Sequence, residues 1–174
     1  MKYLRIETER LVITTFDEEM AEAVHLNSLD EDNRNFVPDE VFETIETAKE
    51  TILYLMVCYG KKEVPLVYPI LLKNGNNVGY VQAVPYKEGW EIGYHITKEH
   101  TQNGYATEAI QAFLPIIMDY LAVKEIYGVC LKSNFASRRV LEKCGFKELF
   151  CGTDQYQGQE REIYKYLYAK EGIE

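Results

Sequence analysis

Apolar positions along the chain follow two periods, and the switch between them near residue 100 is the clearest structural signal. Trp90, Ile92, Tyr94 and Ile96 alternate with Glu91, Gly93, His95 and Thr97, the two-residue period of a pleated strand. Phe113, Leu114, Ile117 and Leu121 then follow Ile110 at spacings of 3, 4, 7 and 11, which is one stripe of a helix. Gln102, Asn103 and Gly104 stand between the two periods. The spacing therefore predicts a strand, a turn and a helix over about 104–121, with Pro115 removing one backbone bond and bending that helix slightly.

The same patterning predicts strands at 10–15, 64–73, 78–85, 124–131, 147–153 and 162–169, and helices at 17–29, at about 43–58 and within 133–146. Asn74-Gly75-Asn76-Asn77 reads as a hairpin turn, and Lys87-Glu88-Gly89 as a second turn, giving an antiparallel meander. The strand at 124–131 is reached through a helix, which makes it parallel to the strand at 90–97. The last two strands read as a hairpin with a long loop. The expected fold is a single α+β domain over 1–174, with a mixed, mostly antiparallel sheet of six or seven strands flanked by helices.

The turn at 102–104 has a specific chemical capacity. Gly104 accepts a positive φ and leaves room for a close ligand. The amides of Tyr105, Ala106, Thr107 and Glu108 fall in the first helical turn, at the positive end of the dipole, where an anion fits. A plain strand-to-helix turn, with those amides satisfied by water or by Thr101, explains the segment equally well. No GxxxxGK[ST] occurs, and Gly93 and Gly104 do not form GxGxxG, so the other nucleotide loops have no support.

Composition narrows the field. A formal net charge of -9 speaks against nonspecific nucleic-acid binding and favours a cationic partner. No apolar run approaches the roughly 18 residues of a membrane span. The opening MKYLRIETER is charged, with no apolar signal region after it, so the expectation is a cytoplasmic protein with no membrane partner. Cys58, Cys130, Cys144 and Cys151 form no CxxC, and with three His there is no metal-ligand cluster. The cysteines read as reduced and mostly packed.

Three segments resemble one known family. Thr101-Gln102-Asn103-Gly104-Tyr105-Ala106 is similar to the [QR]xxGx[GA] loop of the GNAT acetyltransferase superfamily, with Thr101 departing from the usual Gln or Arg, and GYATEA resembles the RimJ/RimL-like ribosomal-protein N-terminal acetyltransferase branch. SNFASRRVLEKCGF, from Ser133 to Phe146, resembles that branch's SNxxSxxVLEKxGF helix. The opening TERL followed by an acidic helix is the third match; the variable part is 33–65.

The resemblance implies a splayed central pair of parallel strands with acetyl-CoA as co-substrate in the gap. It places the pyrophosphate on Gln102, Asn103, Gly104, Tyr105, Ala106 and Thr107, and Tyr94, His95 and Ile96 beside the thioester through their backbone. It also brings the Asn134 side chain against the pantetheine. Bottom-up, Asn134 is equally an N-cap. Acyl transfer to an amine needs a neutral nucleophile, a polarised carbonyl and a proton for the thiolate. Glu91, where the branch reads EIGY, is the candidate base, against an ordinary strand carboxylate, with Glu88 and Glu108 as alternatives. His95 is a second acceptor of the amine proton or a wall of the acceptor site. Many superfamily members carry an acidic Tyr seven residues after the Asn; that position here is Leu141. Ser137 is the implied replacement, and also a normal first-turn capping residue. The expected function is an acetyl-CoA-dependent N-acetyltransferase, a monomer or homodimer, acting on a protein N-terminus or a small-molecule amine. A different acyl-CoA, a noncatalytic acyl-CoA sensor and a structural role are the alternatives.

Overall fold

A computed structural model describes residues 3–170. Eight strands form one sheet in the order β1-β2-β3-β4-β5-β6-β8-β7. Arg5–Glu7 (β1) and Leu11–Thr14 (β2) form the first hairpin, and Leu66–Leu72 (β3), Asn77–Tyr86 (β4) and Gly89–Ile96 (β5) the antiparallel meander. Glu125–Leu131 (β6) runs parallel to β5, and Lys147–Tyr156 (β7) with Gln159–Ala169 (β8) closes the sheet. The expected α+β architecture stands, with eight strands instead of six or seven. The extra strand is β1, whose three residues are too short to show a period.

Ala21–Ser28 (α1), Glu31–Phe36 (α2) and Ile45–Cys58 (α3) lie ahead of the meander in sequence. Thr44 caps α3, accepting from the Thr47 amide at 3.1 Å. Tyr105–Leu121 (α4) connects β5 to β6, and Phe135–Lys143 (α5) connects β6 to β7. Ile110, Phe113, Leu114 and Ile117 are almost fully buried against the sheet, as the stripe predicts, and α4 continues through Pro115 on its exposed side.

Two segments depart from the sequence reading. The loop expected between the last strands is a two-residue turn at Gln157 and Gly158, with φ of 52° and 72°, the geometry of a tight hairpin. Polar residues from Asp154 to Glu162 hide the strand pattern because this hairpin is largely exposed. Residues 31–40 carry α2 and a 3₁₀ turn, Pro38–Glu40, which no periodicity announced.

β5 and β6 position the site. They pair only at Glu91–Tyr127 and Ile92–Gly128, and beyond these the strands separate. α5 is pressed onto β6 at Gly128, where a Cβ would stand 2.6 Å from Leu141 Cδ2. Leu141 is core, so the position seven residues after Asn134 presents a buried aliphatic side chain and no hydroxyl.

The α4 stripe is expected to dominate stability. Ile117→Ala should cost about 2–5 kcal/mol in urea denaturation, whereas a loss under 1 kcal/mol would contradict the packing described.

Candidate active site

The separation of β5 from β6 opens a cleft of about 340 Å³. Ile92, Gly93 and Tyr94 form one wall, Val129, Cys130 and Leu131 the other, with Asn134 and Ser137 of α5 behind. Backbone direction can be read from the other edge of β5. The Thr97 amide donates to Val78 O at 2.9 Å, and the His95 carbonyl occupies the place a Cβ on Gly79 would take. Alternation then turns the backbone groups of Tyr94 and Ile96 toward the gap and those of His95 toward β4. Of the three residues expected to use their backbone, two face the cleft and His95 does not.

The 102–107 loop lies at the end of β5. Gln102 and Gly104 have φ of 64° and 79°, and Asn103 holds the turn by donating from Nδ2 to the carbonyls of His100 and Thr101, both at 3.1 Å. Thr101 donates its hydroxyl to Lys98 O at 2.8 Å and Gly104 supplies no side-chain cap, so neither satisfies the helix amides. The Glu108 amide, grouped with the free donors in the sequence reading, instead makes the first intrahelical bond, to Gly104 O at 3.0 Å. Tyr105, Ala106 and Thr107 remain as first-turn donors.

Arg10, not singled out from sequence, fixes this loop. Its guanidinium donates to Asn103 O at 2.9 Å, pairs with Glu108 at 2.6 Å and stacks over the Tyr105 ring at 4.8 Å. Glu108 also accepts from Thr8 Oγ1 at 2.6 Å and from the Arg10 amide at 3.0 Å. Burial pushes its pKa upward, but these donors outweigh burial and hold it below the usual range. Nothing in the sequence links positions so far apart.

Glu91 is the contrasting carboxylate. It lines the cleft and has no hydrogen bond or ion pair among the described residues, and burial, with Glu40 nearby, pushes its pKa up to about 8. The two alternatives are occupied: Glu108 by Arg10, and Glu88 by Lys165 at 2.7 Å. Glu40, missed from sequence because it sits in the unpatterned 31–40 segment, lines the same cleft. It is held by Gln82 Nε2 at 3.4 Å, and burial raises its pKa to about 7.

His95 stands elsewhere, in a neighbouring cavity, with Nε2 3.2 Å from Asp30 Oδ2. Burial lowers its pKa against the opposing pull of Asp30. At the opposite wall, Asn134 Oδ1 accepts from the Ser137 amide at 3.0 Å, so it caps α5 and keeps its Nδ2 donors for other partners. Ser137 Oγ lies 2.8 Å from the Tyr94 hydroxyl, which also donates to Ser137 O at 3.0 Å. Burial pushes the Tyr94 phenol well above its normal pKa, so it stays protonated. Tyr156, half-buried at the far side of the cleft, is a further lining residue hidden by the hairpin's polar sequence. Cys130 is also buried there, its pKa raised by burial to about 11, which disfavours the thiolate; Cys58 and Cys144 are buried too, and Cys151 is exposed.

The sequence model of the Acetyltransferase (GNAT) domain family matches residues 10–147. The uncharacterized N-acetyltransferase YnaD of Bacillus subtilis (strain 168) is 28% identical over 147 residues, 83% of each chain. An acetyltransferase (GNAT family) structure from Bacillus anthracis superposes with a TM-score of 0.80 at 28% identity, covering 95% of this chain and 98% of that one. RimL, a ribosomal L7/L12 alpha-N-protein acetyltransferase in complex with coenzyme A, gives a TM-score of 0.80 at 18% identity, covering 96% and 98%, a likeness of fold.

The half-buried carboxylate Glu91 gives a signed pH effect. Because the folded pKa of Glu91 is raised, the folded state keeps a proton that the unfolded chain releases, and stability falls as pH rises from about 4.5 to about 8. Glu91→Gln removes this cost. The melting temperature of the variant should match wild type near pH 4.5 and exceed it by a few degrees at pH 8.5. A difference that does not change with pH would contradict the burial of the charge.

Proposed function

Because the chain belongs to the GNAT acetyltransferase family, we propose that it transfers an acetyl group from acetyl-CoA to a primary amine by direct attack in a ternary complex. The observation that carries this reading is an order along the chain: the cleft beside β5, then the edge of β5 left unpaired beyond Ile92, then the uncapped amides at the start of α4, the next helix. A diphosphate fits the amides and an extended amide-bearing arm the unpaired edge. In this reading Tyr105, Ala106 and Thr107 hold the pyrophosphate on their amides, with Gln102, Asn103 and Gly104 shaping the approach. Tyr94 and Ile96 pair with the pantetheine through their backbone, and Asn134 donates to it from Nδ2. The thioester then lies between Glu91 and Ser137.

The amine nitrogen attacks the thioester carbonyl carbon; the C–N bond forms and the C–S bond breaks. Of the two protons that an ammonium must shed to become an amide, one leaves through Glu91 and the other ends on sulfur. Ser137 donates toward the departing thiolate once the Tyr94 hydroxyl turns its proton from Ser137 O to Ser137 Oγ, which frees the serine proton. Positioning of the reactants supplies most of the acceleration.

His95, without a backbone group in the gap, serves as a wall of the acceptor site. Leu141 in place of a tyrosine leaves a noncatalytic acyl-CoA sensor as the second reading. Thiol release from acetyl-CoA with a panel of amines separates them, since tight cofactor binding without turnover on any amine would support the sensor.

Glu91→Gln should lower kcat/KM on the order of 10²-fold, and the wild-type-to-variant ratio should rise with pH up to about 8. A ratio independent of pH would remove Glu91 from the role of base. Replacing Gly104, at φ 79°, by Val should weaken coenzyme A binding at least about tenfold with the fold retained; unaltered affinity would contradict the loop assignment.

A further inference from the structure

A second cavity of about 410 Å³ lies in front of the sheet, facing α1 and α3. Its walls are largely apolar, with Phe16, Val24, Ile52, Leu55 and Val67 among them, and no lysine or arginine lines it. Glu40, Tyr80 and Gln82 line both this cavity and the cleft, so the two adjoin at Glu40. A cation moving from the apolar cavity toward the cleft meets Glu40 and then Glu91, which has no partner of its own. The segment 30–42 crosses the front of this path. Among the contacts that tie it down, Asp30 stands 3.2 Å from His95, Phe36 O accepts from Gln157 Nε2 at 2.8 Å, Glu40 accepts from Gln82 at 3.4 Å, and the Phe42 amide donates to Ser28 Oγ at 2.9 Å.

Resting on the acetyl-transfer reading, we infer that the acceptor is a small primary amine on an uncharged, apolar body, with its ammonium between Glu40 and Glu91 and its body in the front cavity. The volume lies in the range of small-ligand pockets. Two neighbouring half-buried carboxylates without a cation are unfavourable, and one ammonium compensates both. A carboxylate beside the amine would face Asp39 and Glu40 with no cation to receive it. A second ammonium would meet a carboxylate only at Asp39 on the exposed rim, and deeper in it would lose its hydration against Phe16, Val24, Ile52, Leu55 and Val67. A protein N-terminus carries a peptide backbone behind its amine, whose polar groups the apolar part of the cavity would leave unpaired.

The test measures thiol release from acetyl-CoA with phenethylamine, ethylamine, spermidine and a tetrapeptide with a free N-terminus, together with the thermal shift produced by coenzyme A. Phenethylamine is expected to have the highest kcat/KM, by about tenfold or more. A preference for spermidine or the tetrapeptide, or equal rates throughout, overturns the acceptor class and leaves acetyl transfer standing. Absence of any thermal shift with coenzyme A overturns both readings. Glu40→Gln should raise KM for phenethylamine about tenfold while kcat stays within about threefold. Val24→Trp, which fills the cavity away from the carboxylates, should raise KM for phenethylamine and leave that for ethylamine unchanged. Unchanged KM in both variants, with the coenzyme A shift intact, overturns the placement.

Discussion

β5 and β6 share only two residue pairs before they diverge, and the whole site is arranged around that short contact. Had the ladder continued, the backbone groups of Tyr94 and Ile96 would be spent on β6. Instead they face a gap, and backbone polar groups at such an edge are templates for an extended partner. The divergence is held in place from both sides. β4 fixes β5 through eight aligned pairs, and β8 fixes β6 through seven, so neither strand can swing to close the gap without breaking its other ladder. The loop at the end of β5 leads into the N-terminus of α4, and Gly128 lets α5 approach closely enough to bring Asn134 and Ser137 to the opposite wall of the cleft.

Electrostatic context separates carboxylates that the sequence leaves equivalent. Glu88 and Glu108 have cations at salt-bridge distance and act as fasteners, one to Lys165 and one to Arg10. Glu40 and Glu91 have none among the described residues, and partial burial raises the pKa of both toward neutrality. A pair of this kind is poised to accept protons or a cation near neutral pH. The low dielectric that makes the pair costly when empty is what strengthens its attraction for an ammonium.

Much of the site was legible because it is local. The loop 102–107, the α5 cap at Asn134 and the placement of Ser137 three residues on all lie within single turns, where spacing determines geometry. The family's motifs point to the same residues. What escaped was either distant or unpatterned. Arg10 reaches the loop from 98 residues away from Glu108, its ion-pair partner, and no period connects them. Glu40 belongs to a 3₁₀ turn too short for a repeat, and Tyr156 to an exposed hairpin whose polar residues mask the strand.

The sequence alone determined most of the strands and helices, though not β1 or α2, and where the turn at 102–104 lies and which residues flank it, because these follow from backbone sterics and the two hydrophobic periods. Only the tertiary structure decided which backbone edge of β5 stays open, that His95 points its main chain to β4, and which carboxylates lack a cation. Those properties depend on the neighbour a strand acquires and on the water a side chain loses, and both are set by contacts between segments far apart in the chain.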